Sequence, residues 1–167
     1  MYDELTAVDI QKMQEEINYR VRELRPKLIK DVQIARAFGD LSENYEYKCA
    51  KQEKNRNDSR IRYLERMIRT AKVISTSSEE DAVGLFDQVV VFHEKLQKEM
   101  ALRIVTTLRA DAGKGLISKE SPVGKALLGR KVGERVQVQL EGGLSYEMEV
   151  RSIEKGEDDA GLAIRRF

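Results

Sequence analysis

Two apolar series, each spaced by threes and fours and parted by a six-residue break, constrain this chain more than any other feature. The first runs through Ile10, Met13, Ile17, Val21, Leu24, Leu28, Val32 and Ala35. The second runs through Tyr47, Ala50, Lys54, Asn57, Ile61, Leu64, Ile68 and Ala71. Such spacing lays one stripe along one face of a helix, and the unbroken alternation of the second series is that of a coiled-coil seam. Lys54 and Asn57 are polar residues on that seam, which either weaken it locally or set its register. The break, Gly39 to Asn44, reads GDLSEN. Gly39 suits the left-handed position after a helix end, and Asp40 with Glu43 reads as a D-x-x-E variant of the capping box. A connection this short makes the two helices antiparallel. About thirty residues at ~1.5 Å each make an arm roughly 45 Å long. Pro26 lies inside the first helix and predicts a kink, because the apolar period continues past it.

After residue 74 the pattern changes. Ser75 to Gly84 (STSSEEDAVG) is small, polar and acidic and reads as a linker. Beyond it the apolar period is two: Phe86–Phe92, Met100–Leu108, Arg135–Leu140 and Leu144–Ile153 read as strands. Gly142-Gly143 predicts a hairpin turn between the last two. Ser121-Pro122 followed by VGKALLG predicts a short helix with Ser as N-cap and Gly129 past its end. The expected architecture has two domains, α and α+β: a coiled-coil hairpin over 1–74, a linker over 75–84, and a mostly antiparallel α+β domain over 85–167.

Composition then removes whole classes of function. Net charge is +1, so the chain is neither a globally basic coat nor an acidic tail. The one cysteine, Cys49, allows no internal disulfide, and a reducing, cytoplasmic setting is expected. The acidic N-terminus lacks the apolar stretch of a signal peptide, and no apolar run approaches a membrane span. With one His and one Cys, a His/Cys zinc site fails by count. Neither G-x-x-x-x-G-K-[ST] nor G-x-G-x-x-G occurs, so no standard nucleotide cradle is signalled. A Cys49–His93 pair would have to span the two halves, and His93 reads more simply as a strand or loop residue.

Charge is unevenly spread. Residues 9–38 hold 7 Lys/Arg against 5 Asp/Glu, and residues 44–72 hold 9 against 4. The turn between them contributes only Asp40 and Glu43. A basic rod therefore ends in two carboxylates. The rod suits either a solvated face or a surface that follows a phosphate backbone. Pattern alone favours helix capping for the carboxylates. They could also share a divalent metal, but Mg²⁺ wants further ligands from substrate or water. Such a tip could complete a metal site belonging to another molecule.

At two places the sequence resembles the bacterial Gre family of transcript cleavage factors. Ala35 to Lys51, ARAFGDLSENYEYKCAK, fits A-R-x-x-G-D-L-S-E-N-x-E-Y. Ile117 to Gly129, ISKESPVGKALLG, fits I-S-x-x-S-P-[LIVM]-[AG]-x-A-L-[LI]-G. The Leu5-Thr6 start and the GRKVGE segment also fit, so the resemblance covers essentially the whole chain. It implies a coiled coil that enters the secondary channel of bacterial RNA polymerase and an FKBP-like C-terminal domain that docks at the channel rim. It further implies that Asp40 and Glu43 help hold the weakly bound second Mg²⁺ of the polymerase active centre, with Ser42 in support, while the polymerase hydrolyses its own backtracked RNA. By the same resemblance Arg36 and Lys51 guide the extruded RNA 3′ end, and Glu120, Ser121 and Pro122 contact polymerase. The chain would then be a transcription elongation factor, monomeric when free, with no cofactor of its own and no catalytic centre of its own.

Some features depart from the family pattern. Phe38 stands where many members carry His or another polar residue, and Lys51 replaces an Arg of some members, losing the bidentate fork. The tail after Ile153, EKGEDDAGLAIRRF, is longer than expected and receives no function. Three competing readings follow. A Gre-like inhibitor that blocks the channel without cleavage is disfavoured by the D-L-S-E tip, which is less Asp-rich than theirs. A peptidyl-prolyl isomerase would need an aromatic-lined pocket, for which residues 84–167 offer only Phe86, Phe92, Tyr146 and Phe167. A plain nucleic-acid binder would show salt-sensitive RNA affinity indifferent to the tip charges.

Overall fold

The computed structural model describes residues 3–40 and 43–166. The chain divides into two compact units, one built on residues 10–72 and one on residues 4–9 together with the chain from Val73 onward. The helical series opens with β1 (Glu4–Leu5) and continues through α1 (Ala7–Tyr19), a π-helical segment (Arg20–Leu24), α2 (Arg25–Arg36), α3 (Tyr45–Thr70) and β2 (Lys72–Val73). Side-chain pairings in the helical unit run in opposite senses along the chain: Glu16 with Arg60, Arg20 with Asn57, Asn44 with Ala35. The helices before and after the tip are therefore antiparallel.

The expected kink at Pro26 is resolved as a π turn. Proline lacks an N–H and its ring crowds the carbonyl four residues back. Arg25 N–H reaches the carbonyl of Arg20, five residues back, and Pro26 then falls in the first turn of α2. The carbonyl of Arg20 also accepts Asn57 Nδ2 at 3.4 Å, while Arg20 Nη1 donates to Asn57 Oδ1 at 3.0 Å. Asn57 is buried. Of the two readings of this polar seam residue, register-setting fits the reciprocal pair it makes with Arg20.

Apolar burial in this unit is thin, with Met13, Ile17, Ala35, Ile61 and Leu64 buried. Ion pairs fill the intervals. Glu16 accepts from Arg20 Nε at 2.7 Å and from Arg60 Nε and Nη2 at 2.9 and 3.2 Å. Asp58 accepts from Arg25 at 2.9 Å and from Lys54 at 3.0 Å. Of these pairs Arg60–Glu16 and Arg25–Asp58 bridge the two sides of the hairpin, while Arg20–Glu16 and Lys54–Asp58 lie within one helical stretch.

The second unit holds a five-stranded sheet of β3 (Gln88–His93), β4 (Lys98–Val105), β5 (Leu116–Ser118), β6 (Arg135–Gln139) and β7 (Ser145–Glu154) in the order β5-β4-β3-β7-β6. All pairings are antiparallel except β4 with β5. The short helix α4 is Pro122–Leu127, with Ser121 Oγ capping Gly124 N–H at 3.0 Å. Gly129 has φ +77°, and Gly142 and Gly143 have φ +87° and +79° in the β6–β7 turn. The core gathers Phe86, Val89, Val91, Ile104, Val105, Leu127, Val138 and Val150, all fully buried.

The strand ends differ from expectation by one to three residues, and two of these differences have a clear physical reason. Phe86 leaves the strand because its φ is +67°. That left-handed backbone is held by Phe86 N–H to Ile104 O at 2.6 Å and by Arg103 Nε to Phe86 O at 3.0 Å. The second difference is that β4 stops at Val105 because Thr107–Arg109 wind a 3-10 turn. The alternating pattern also missed β5, which spans three residues and is too short to show a period. His93 is buried, stacks on Tyr146 at 4.5 Å and accepts Leu96 N–H through Nδ1 at 3.2 Å.

Two polar knots close this unit. Thr6 and Asp9 form a reciprocal capping box at the start of α1, with Thr6 N–H to Asp9 Oδ2 at 3.0 Å and Asp9 N–H to Thr6 Oγ1 at 3.2 Å. Asp9 Oδ1 also receives Arg109 Nε at 2.6 Å. The Arg109 guanidinium is fully buried, lies 5.1 Å from the Phe86 ring centroid and meets Asp158 at 2.5 Å and the carbonyl of Asp159 at 3.0 Å. Thr6 Oγ1 donates to the other oxygen of Asp158 at 2.5 Å. In the second knot Lys155 Nζ reaches Asp87 at 2.5 Å, Ser78 Oγ at 2.8 Å and the carbonyls of Glu79 and Ala82 at 2.9 Å. Residues expected to be a loose linker, and part of the unassigned tail, are thereby bonded into the sheet unit.

These geometries carry two predictions. Asp9→Ala leaves a buried guanidinium short of one counter-charge and a helix without its box. It should lower the unfolding free energy by about 3 kcal/mol in urea titrations, and a loss within error of zero would refute the knot's role. For Glu16 and Asp58, burial works to raise the pKa, but the hydrogen bonds and charges of Arg60 and Arg20, and of Lys54 and Arg25, outweigh it and hold the carboxyls below their ordinary 4.5 and 3.8. Depressed folded values mean stability that is complete above the ordinary values and lost as pH falls through the folded ones. Urea midpoints of wild type should therefore drop on acidification below about pH 4.5, and those of Glu16→Gln should drop less steeply.

Candidate functional site

The turn between α2 and α3 carries the residues singled out by sequence. α2 ends with Ala37 as C-cap, whose N–H bonds the carbonyls of Gln33 and Ile34 at 3.2 and 3.1 Å. Gly39 follows at φ +116° with open space where a Cβ would stand. This conformation lets the chain turn out of α2 without steric cost. Asp40 and Glu43 are both exposed. Leu41 and Ser42 lie outside the described residues, so the supporting position assigned to Ser42 is among them.

The sequence reading of the cap is corrected here. Asp40 is not the N-cap of α3, and Glu43 is not its third residue. Asn44 is the N-cap: its Oδ1 accepts Tyr47 N–H at 3.0 Å, and its Nδ2 donates to the carbonyl of Ala35 at 2.7 Å. One side chain thus satisfies an orphan donor of α3 and an orphan acceptor of α2. The signal was present in the sequence, since Asn is a preferred cap and stands three residues before Tyr47, where the apolar period begins. The capping-box pattern drew attention away from it. Neither tip carboxylate is therefore the N-cap of α3.

Arg36 occupies the last turn of α2 and is exposed. Lys51 is exposed on α3 with its ammonium 5.9 Å from the Tyr47 ring centroid, one turn nearer the tip. Tyr45 and Phe38 are also exposed on either side of the turn. A hydrogen bond to Cys49, and the charge interaction with it, raise the Tyr45 phenol above its usual range. Carboxylates at the turn and cations along the flanking helices can present anionic ligands to a metal while attracting a polyanion. Among the described residues no group of three or more His, Cys, Asp or Glu is gathered at one point.

In the sheet unit the Glu120–Pro122 segment leads into α4, of which Pro122 is the first residue. Glu120 is exposed and lies 3.5 Å from Lys125 and 3.6 Å from Lys119. Lys119 also pairs with Glu4. Ser121 Oγ donates to Ser118 O at 2.6 Å while it caps α4, and Pro122 is exposed. Gly124 packs so closely on Ser118 that a Cβ would overlap its carbonyl oxygen. The loop is therefore held in one shape by its own hydrogen bonds.

Comparison with known proteins gives consistent matches. The family model described as "Transcription elongation factor, N-terminal" matches residues 4–73. That described as "Transcription elongation factor, GreA/GreB, C-term" matches residues 77–155. The chain is 41% identical over 139 residues to transcription elongation factor GreA of Bacillus subtilis, covering 83% of this chain and 88% of that protein. It is 40% identical over 153 residues to GreA of Leuconostoc mesenteroides, covering 90% and 95%. Among solved structures, Gfh1 of Thermus thermophilus aligns at 26% identity with a TM-score of 0.43 over 93% of this chain and 100% of that one.

The double role of Asn44 sets a test of the tip. Asn44→Ala removes both bonds and should cost about 1 kcal/mol. Asn44→Asp restores the cap to Tyr47 but cannot donate to Ala35, and should recover part of that loss in urea titrations.

Proposed function

The chain belongs to the GreA/GreB family of transcription elongation factors, and we propose that it stimulates bacterial RNA polymerase to cleave its own backtracked transcript. In this reading the antiparallel helices form the coiled-coil arm that enters the secondary channel. The sheet unit, expected to be FKBP-like, docks at the rim through Glu120, Ser121 and Pro122. The observation that carries the reading is the match of both family models over residues 4–73 and 77–155, with Asp40 and Glu43 exposed in the turn between α2 and α3.

The chemistry follows from charge and geometry. Phosphodiester hydrolysis with two metals clamps the attacking and leaving oxygens between them. Mg²⁺ takes near-octahedral oxygen coordination and retains waters. Two carboxylates supply only part of such a shell, so polymerase, RNA and water supply the remainder. Asp40 and Glu43 would help hold a weakly bound metal of the polymerase and orient the attacking water, in the role the family resemblance gives them together with Ser42. Their charge acts only when delivered, which makes the chain a stimulator and leaves catalysis to the polymerase. Arg36 and Lys51 attract the extruded RNA 3′ end through its phosphates. Mg²⁺ belongs to the assembled complex and is no resident cofactor of this chain.

The test uses stalled, backtracked elongation complexes with labelled RNA and Mg²⁺. Wild type should release short 3′ fragments. Asp40→Asn and Glu43→Gln should each lower the cleavage rate at least a hundredfold while still competing with wild type for polymerase. If wild type binds polymerase and releases nothing, the chain is a channel-occupying inhibitor and the cleavage reading is wrong.

A further inference from the structure

Among the described residues, the two most exposed large hydrophobic side chains lie on either side of the tip: Tyr45 at 77% and Phe38 at 73%. A ring left this open forgoes the burial that stabilises an aromatic side chain within a fold. A single exposed ring is ordinary, but these two flank one turn. The pattern A-R-x-x-G-D-L-S-E-N-x-E-Y, fitted by residues 35–47, leaves both positions open. The turn itself therefore calls for an aromatic at neither of them.

The backbone holds the two positions near each other. The carbonyl of Ala35 accepts both Phe38 N–H at 3.3 Å and Asn44 Nδ2 at 2.7 Å. Phe38 and the residue before Tyr45 thus meet at one oxygen, with Asp40 and Glu43 in the chain between them. Tyr45 is the first residue of α3, and its phenol bonds Cys49 one turn further on. That bond ties the polar end of the ring to its own helix, while the exposure of the residue leaves ring surface open to solvent. Arg36 and Lys51, both exposed, stand behind the rings on α2 and α3.

Open aromatic faces, carboxylates and cations therefore share one end of the helical unit. An apolar protein surface would cover the rings but would bury the neighbouring charges without partners. A single-stranded nucleic acid suits the whole set. Its phosphates meet the cations, its unpaired bases stack on the rings, and a divalent metal can lie between a phosphate and the carboxylates. We propose that Phe38 and Tyr45 form a stacking platform for bases at the extruded RNA 3′ end, which holds the scissile phosphodiester against the acidic tip and makes cleavage depend on the base that is gripped. The proposal rests on the cleavage reading above and adds to it a substrate-positioning role for two residues. A purine covers more ring area than a pyrimidine does, so purine-ended RNA gains most.

The test uses backtracked complexes whose RNA differs only at the 3′-terminal nucleotide, a purine or an abasic residue. Phe38→Leu and Tyr45→Leu keep apolar bulk and lose the aromatic face, whereas Phe38→Tyr and Tyr45→Phe keep it. The cleavage rate at saturating factor and the factor concentration for half-maximal cleavage are read separately. On purine-ended RNA each Leu variant should cleave about tenfold more slowly than wild type at saturation. Its half-saturation should be unchanged, and Phe38→Tyr and Tyr45→Phe should stay near wild type. On abasic-ended RNA wild type should lose its advantage over the Leu variants. Equal saturated rates for wild type and either Leu variant on purine-ended RNA overturn the proposal. So does a deficit of the same size on both RNAs, or one confined to half-saturation, either of which would make the rings a contact with polymerase protein. If wild type binds polymerase and releases no fragment from either RNA, the cleavage reading fails and the platform with it.

Discussion

A guanidinium with no access to water is the constraint around which the sheet unit is organised. Burying Arg109 is tolerable only if its charge is met. It is met by Asp9 from the start of the chain, by Asp158 and the carbonyl of Asp159 from the end, and by the face of Phe86. Three distant stretches of sequence are thereby fixed to one 3-10 turn. Phe86 in turn holds a left-handed backbone that Arg103 and Ile104 support, and Gly156 passes so near its carbonyl oxygen that no side chain fits there. Removing the guanidinium would take away the reason for several of these contacts at once.

The helical unit solves a different problem. Two helices packed against each other have too little apolar surface to form a full core. Among the described residues five apolar side chains are buried, and the partly buried pairs Arg25–Asp58 and Arg60–Glu16 link the helices. Exposed pairs of this type contribute little, but Glu16 and Asp58 are each shared between two cations and partly shielded. At its end, Asn44 ties α2 to α3 with one side chain.

Much of this was legible before any coordinates. The two helices, the turn at Gly39, the cap at Ser121, the glycine hairpin and four strands all follow from local periodicity and turn chemistry. The errors share a cause. Asp40 and Glu43 satisfy a capping pattern, but Asn44 satisfies the geometry, because its amide bonds both the Ala35 carbonyl and the Tyr47 N–H. Pro26 announced an irregularity without saying that a π turn would absorb it. β5 has no period to read, and Phe86 lies in an apolar run whose left-handed residue no pattern reveals. The tail looked idle because its bonds go to residues fifty and more positions away.

Sequence by itself determined the helical and extended periods, the punctuation between them, the charge on the rod and the acidic tip, since each depends on neighbours a few residues apart. It also carried the motifs that place the chain in its family. Tertiary structure alone decided which side chain caps α3, how Arg109 is neutralised, and that the tail walls a groove beside the Glu120–Pro122 loop. These outcomes depend on which distant groups meet once water is excluded, and the free energy of a buried charge or an orphan backbone group is settled only by that meeting.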